Sequence, residues 1–143
     1  MDKIQKRLIL FMPSMEGGGV EKNIVLIANY LAKYLNKIDL ITFDKKFNNK
    51  FSSKIHIINV INKNSNSRHS KYYKYFRCLL LLIKELLSNR NSLLFSFQAN
   101  IYCIILSSFF KVKIITRSNS SPAGWTKNIL KDFIFKIFFK FAN

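Results

Sequence analysis

An apolar run over residues 8–12 stops at Pro13, three glycines follow at Gly17, Gly18 and Gly19, and a helical pattern starts at Val20. No other stretch limits the fold as strongly. A continuous apolar run reads as a strand buried on both faces. Val20, Ile24, Ile27, Ala28, Leu31 and Leu35 then recur at the spacing of a helix with one buried face. Strand, glycine turn, helix is how a doubly wound α/β domain begins, and it brings the backbone close to a ligand at a helix N-terminus.

The remaining segments continue the alternation. Strands are expected over residues 38–43, 56–61, 93–97 and 112–116, and helices over 72–87, 100–110 and 125–141. Asp44 and a Lys/Asn loop close the second strand, and residues 62–70 are polar, without periodicity, and expected to be flexible. The last helix carries Ile129, Phe133, Ile137 and Phe141 at four-residue spacing, interleaved with Lys127, Lys131, Lys136 and Lys140, and Phe135, Phe138 and Phe139 widen its apolar face. Strands alternating with helices imply parallel βαβ units with right-handed crossovers. The expected fold is therefore α/β: a Rossmann-like, doubly wound parallel sheet with flanking helices. A chain of 143 residues makes at most one such domain.

Charge narrows the class of partner. The chain has 24 Lys+Arg against 7 Asp+Glu, formally +17. Compositional bias toward Lys, Asn, Ile and Phe accounts for part of the lysine but not for the scarcity of acids. The excess implies an anionic partner: nucleic acid, lipid headgroups or phosphorylated substrates. The stretch Lys71-Tyr-Tyr-Lys-Tyr-Phe-Arg77 suits either an anionic membrane surface or nucleic acid, and an ordinary amphipathic helix as well. Cys78 and Cys103 read as buried free thiols in a reducing compartment. With only His56 and His69 beside them, no metal site is expected. Lys3, Lys6 and Arg7 mimic a signal peptide, but the apolar run after them is too short. No run reaches the roughly 18 apolar residues of a spanning helix. The chain reads as cytoplasmic.

In a parallel sheet, ligands bind outside the carboxyl ends of the strands. Four segments converge there: the glycine loop, Asp44, Ser96-Phe-Gln-Ala-Asn100 and Arg117-Ser-Asn-Ser-Ser121. The glycine loop is either a ligand loop, its free helix N–H groups facing an anion or hydroxyl, or a plain tight turn. Its spacing fits neither Gly-x-Gly-x-x-Gly nor a P-loop, and a nicotinamide-dependent enzyme lacks its fingerprint here. Asp44 reads as a solvated loop aspartate. Arg117 puts a planar five-donor cation at the rim, and Asn119 adds a neutral partner suited to sugar or phosphate. Ser120 and Ser121 read as helix caps, Gln98 as a ligand contact, and Asn100 as a contact or a cap. His56 and His69 have no carboxylate or serine at a relay spacing and receive no role.

The run Pro13-Ser-Met-Glu-Gly-Gly-Gly-Val-Glu-Lys-Asn-Ile-Val-Leu-Ile-Ala-Asn-Tyr-Leu-Ala-Lys33 resembles the opening of family-four glycosyltransferases of the two-domain B type. Leu94-Phe-Ser-Phe-Gln-Ala-Asn100 and Ile114-Ile-Thr-Arg-Ser-Asn119 are similar to later strand–loop segments of that family, and the resemblance covers nearly the whole chain. It implies retaining transfer of a sugar (hexosyl or N-acetylhexosaminyl) from a nucleotide-sugar donor to a glycan or lipid-linked acceptor, in bacterial surface glycan or glycolipid synthesis at the cytoplasmic membrane face. No cofactor is implied. The substrate-binding residues would be Gly17, Gly18, Gly19, Gln98, Asn100, Arg117 and Asn119.

The sequence departs from the family in several ways. It has no Glu-x7-Glu motif of a C-terminal nucleotide-sugar domain, and no counterpart of the histidine many members carry in the first domain. It ends where that domain's next core strand would follow. The resemblance therefore implies a partial N-terminal domain over residues 1–143, inactive alone, with an exposed sheet edge. The rival expectation is a non-enzymatic basic module that binds anionic membrane or, less in keeping with these motifs, nucleic acid.

Overall fold

The computed structural model describes residues 7–60 and 70–117. Five strands form one all-parallel sheet: β1 (Arg7–Phe11), β2 (Ile38–Thr42), β3 (Ile55–Asn59), β4 (Ser92–Ser96) and β5 (Lys113–Thr116), in spatial order β3-β2-β1-β4-β5. Three helices connect them: α1 (Gly19–Leu31), α2 (Lys71–Ser88) and α3 (Asn100–Phe110). This is the α/β, Rossmann-like arrangement expected from the alternation of patterns. The expected helix over residues 125–141, the segment 62–69 and His69 lie outside the described residues.

Alternation along β1 assigns the layers. Leu8, Leu10 and Met12 face one side and pack with Ile24 and Ala28 of α1. Ile9 and Phe11 face the other side and pack with Cys78, Leu82 and Leu86 of α2 and Cys103 of α3. The central strands β1 and β2 are buried throughout, so alternation by polarity vanishes, and apart from Arg7, Asp39 and Thr42 their residues are apolar. At the edges, β3 and β5 admit His56 and Lys113 to solvent.

Several boundaries move by a residue or two. The first strand begins at Arg7, because the Arg7 guanidinium is neutralised inside the fold: Nε donates to Asp39, and Nη2 donates to Glu85 Oε2 at 2.6 Å. The third strand starts at Ile55 and ends at Asn59, paired with Ile38–Thr42 throughout. The Lys/Asn loop after β2 is not simply polar. It holds a single 3-10 turn, Asn48–Lys50, flanked by Phe47 and Phe51, both of which join the α1-side core.

His56 needs a correction. Its Nδ1 lies 2.8 Å from Asp39 Oδ1, a pairing set by the β2–β3 register rather than by sequence spacing. It sits at the amino ends of the strands, on the opposite edge from the ligand rim, and closes the Arg7–Asp39–Glu85 cluster.

Both thiols are fully buried, and burial raises each to about 12. The unfolded chain releases these protons from about pH 9, while the folded chain holds them. Folding stability is therefore expected to fall between pH 9 and 12, by up to about 1.4 kcal/mol per thiol per pH unit. Urea titrations at pH 8, 9.5 and 10.5 on a Cys78→Ala/Cys103→Ala variant and the parent check this, since the slope should flatten without the thiols.

Candidate functional site

The crossovers reverse direction between β1 and β4. From β1 the chain moves out through α1 to β2; from β3 it returns through α2 to β4 on the far side of β1. At such a switch point the loops after the two adjacent strands diverge and leave a crevice. The glycine loop and the segment 97–100 flank it.

Backbone bonds carry each strand on into its loop. Phe97 donates to the Phe11 carbonyl at 3.0 Å, and Arg117 donates to the Ser96 carbonyl at 2.9 Å. Across the crevice, the Ser14 N–H donates to Gln98 Oε1 at 3.2 Å. That bond fixes the amide orientation of Gln98 and leaves the Nε2 donors without a partner among the described residues. Asn100 is the first residue of α3, and Ala99 occupies the cap position. The expectation that Asn100 caps the helix is thus corrected. Its Nδ2 donates to the Arg117 carbonyl at 2.8 Å, and its Oδ1 lies 2.8 Å from Ser96 Oγ, so it ties the ends of β4 and β5 together. Ala99 between them adopts φ 57°, a left-handed conformation costing a non-glycine residue about 1–2 kcal/mol. Strain of this kind persists where surrounding bonds hold it, and it gathers at binding sites.

The glycine loop is more occupied than its composition suggests. Gly17 adopts φ +99°, which requires glycine; Gly18 is the N-cap of α1; and a side chain at Gly19 would meet nothing. Glu21, in the first turn of α1, is buried and turns back so that Oε1 accepts the Glu16 N–H at 3.0 Å. A Cβ on Gly18 would stand 3.1 Å from Glu21 Oε2. The chain's own carboxylate therefore stands beside the start of α1, while among the described residues no side chain hydrogen-bonds the helix cap itself. The glycine loop is thus braced from within by Glu21, and a negative charge already stands at the helix start.

Asp44 is not a solvated loop residue either. Oδ2 accepts the Met15 N–H at 2.8 Å, and Oδ1 pairs with Lys74 Nζ at 2.9 Å. It pins the glycine loop to the first turns of α2. On that helix, burial, with the Glu16 charge adding to it, pushes the Tyr75 phenol up to about 12. Glu16 itself accepts from Ser14 Oγ at 3.1 Å.

Gly17, Gly18, Gly19, Gln98, Asn100 and Arg117 therefore share one rim, with the Arg117 backbone fixed at the end of β5. Asn119, Ser120 and Ser121 lie outside the described residues. Sequence reasoning missed Ser14, Glu21 and Asp44 as organisers of the rim. One signal was present: in a chain this poor in acids, each acid near a glycine loop has a specific reason to be there. Among the described residues no group of His, Cys, Asp or Glu could hold a metal ion, and no helix is long and apolar enough to cross a membrane. No protein-family model matches the chain, and no curated protein matches it.

Proposed function

We propose that this chain forms the acceptor side of a sugar-transfer site, as the Rossmann-like N-terminal domain of a family-four, B-type glycosyltransferase. The observation that carries the reading is the bridge from Ser14 N–H to Gln98 Oε1. It joins the two segments whose sequences resemble that family across the switch-point crevice. A Glu21-braced glycine loop, the Nε2 donors of Gln98, without a partner among the described residues, and the strand-end Arg117 offer neutral hydrogen bonds to hydroxyl groups and one cation for a phosphate. In this reading Gly17, Gly18, Gln98 and Arg117 contact sugar and donor phosphate, while Asn100 positions the Arg117 backbone. The acceptor is a glycan or lipid-linked sugar, the donor a nucleotide sugar, and the reaction serves surface glycan or glycolipid synthesis.

The same reading sets the protein against the inner, anionic membrane face. Helix α2 turns Tyr72, Phe76, Leu80 and Leu87 to solvent beside Arg77 and Lys84, while its one carboxylate, Glu85, points inward to Arg7. Aromatic and basic groups without acids match a lipid headgroup region.

The test is a titration of the whole chain with nucleotide sugars and with a short-chain prenyl-diphosphate-linked sugar, alongside a transfer assay. We expect saturable binding of the linked sugar, loss of that binding in Gln98→Ala and Gly17→Val, and no turnover by this chain alone. Robust turnover overturns the expectation of inactivity. Absence of sugar binding, together with duplex DNA affinity that drops steeply with salt, overturns the reading in favour of a nucleic-acid module.

A further inference from the structure

A second concavity begins at the glycine loop and leaves the crevice behind. It is a groove of about 590 Å³ along the outer side of α1, roofed from the opposite side by the segment after β2. Cavities of this size commonly hold small molecules. Its base is Val25 and the ring of Phe47, and its outer wall is Leu26 and Tyr30. These wall residues are 71% and 57% exposed, a poor use of apolar surface if nothing lies against them. The roof is fixed in place: Asn29 of α1 donates through Nδ2 to the Lys50 carbonyl at 2.9 Å and accepts the Ser52 N–H at 2.8 Å.

The two ends of the groove differ. At the glycine end, the Phe47 ring lies 3.8 Å from where a Gly17 Cβ would stand. Above that ring sit two ammonium groups, Lys50 Nζ at 4.9 Å and Lys46 Nζ at 5.7 Å from the centroid, and Lys22 lines the groove at the same end. None of the three pairs with a carboxylate among the described residues. Away from this mouth, which Glu21 also lines, the groove runs over Val25, Leu26, Asn29 and Tyr30 to Lys33, about 16 Å farther on at the helical rise.

We propose that this groove binds an anionic amphiphile, a phosphate-bearing lipid or prenyl phosphate. Its headgroup sits among Lys22, Lys46 and Lys50, and its chain lies against Val25, Leu26, Tyr30 and Phe47. Charge complementarity selects the headgroup: three ammonium groups without a carboxylate partner among the described residues outnumber the one acid of the mouth, Glu21, and with aromatic support favour a phosphate over a neutral alcohol. The apolar base and wall select a chain rather than a free ion. The mouth adjoins Gly17, so the bound phosphate lies next to the crevice at the switch point. Binding here does not depend on sugar transfer.

The experiment is calorimetric titration of the full chain with farnesyl phosphate below its aggregation threshold, against farnesol and inorganic phosphate. Farnesyl phosphate is expected to bind saturably, farnesol about tenfold more weakly, and inorganic phosphate more weakly still. Leu26→Asp, at an exposed position that leaves the core intact, is expected to weaken farnesyl phosphate by about tenfold or more. Lys46→Gln/Lys50→Gln should reduce farnesyl phosphate to the level of farnesol and leave farnesol unchanged. Phe109→Asp, at an exposed position on α3, should change nothing, which separates the groove from general adsorption to lipid. Three results each overturn the proposal: unaltered binding in Leu26→Asp, loss of binding in Phe109→Asp alone, or an acidic amphipathic peptide binding where farnesyl phosphate does not. Loss of sugar binding in Gln98→Ala with farnesyl phosphate binding retained keeps the proposal independent of the transferase reading.

Discussion

Replacing Asp39 with Ala is expected to lower folding stability by about 3–5 kcal/mol. The side chain is almost fully buried and serves two partners at once, the Arg7 guanidinium and His56 Nδ1. Burial alone would lower the Arg7 pKa, but hydrogen bonds and charge from Asp39 and Glu85 outweigh it, and the net direction is upward. Without Asp39, a guanidinium whose side chain is 9% exposed keeps only Glu85, on the rim of α2. The loss is then mainly the cost of a buried charge left half-paired. A control separates this from packing: Arg7→Met/Asp39→Leu removes both charges and is expected to return to within about 1 kcal/mol of the parent, or above it. Urea denaturation followed by circular dichroism measures all three proteins. A single variant that loses less than about 1 kcal/mol would show the cluster to be solvated and dispensable.

The second large effect is expected at Phe97, beneath the candidate site. Phe97 is fully buried with Met12 and Met15 in the α1-side core, and its ring stacks on Phe95 at 4.5 Å. Its N–H continues the β1–β4 ladder into the loop. Phe97→Ala should cost about 3–5 kcal/mol, the transfer loss plus the cavity left behind. A second consequence follows from position. Gln98 is the next residue, so a collapsing cavity shifts the amide that bridges to Ser14. Amide exchange at Ser14 should therefore accelerate more than exchange in α3, and sugar-ligand binding should fall even where the variant remains folded. Unchanged exchange at Ser14 with a large loss of stability would place Phe97 in the core alone.

The sheet was legible because its strands announce themselves as apolar runs, residues 8–12 above all, and because only parallel crossovers join strands spaced by helices. The candidate rim was legible for the same reason: parallel strands deliver all their following loops to one edge. What holds the rim was not legible. Ser14 meets Gln98 across 84 positions, and Arg7 meets Glu85 across 78. Such pairings depend on which strands become neighbours, and local periodicity is blind to that. Asp44 was misjudged, and Glu21 passed over, because an exposed loop or a first helical turn is the ordinary place for an acid. Here both turn inward to satisfy backbone N–H groups that a glycine-rich loop leaves bare. Phe47 and Phe51 were hidden by the lysines and asparagines around them, and only the 3-10 turn brings them both to the core.

All five carboxylates among the described residues hold something in place: Asp39 and Glu85 the Arg7 cluster, Asp44 and Glu21 the glycine loop, and Glu16 the Ser14 hydroxyl. Tolerance to substitution should therefore be lopsided. Many lysine positions are interchangeable contributors to a diffuse positive field, and losing one changes little. Losing any of these five acids removes a strut, and an acid gained on the surface restores no native contact. A lineage of such chains is expected to drift widely in where its lysines lie while these five carboxylates stay put, so among the described residues the rarer charge is also the less replaceable.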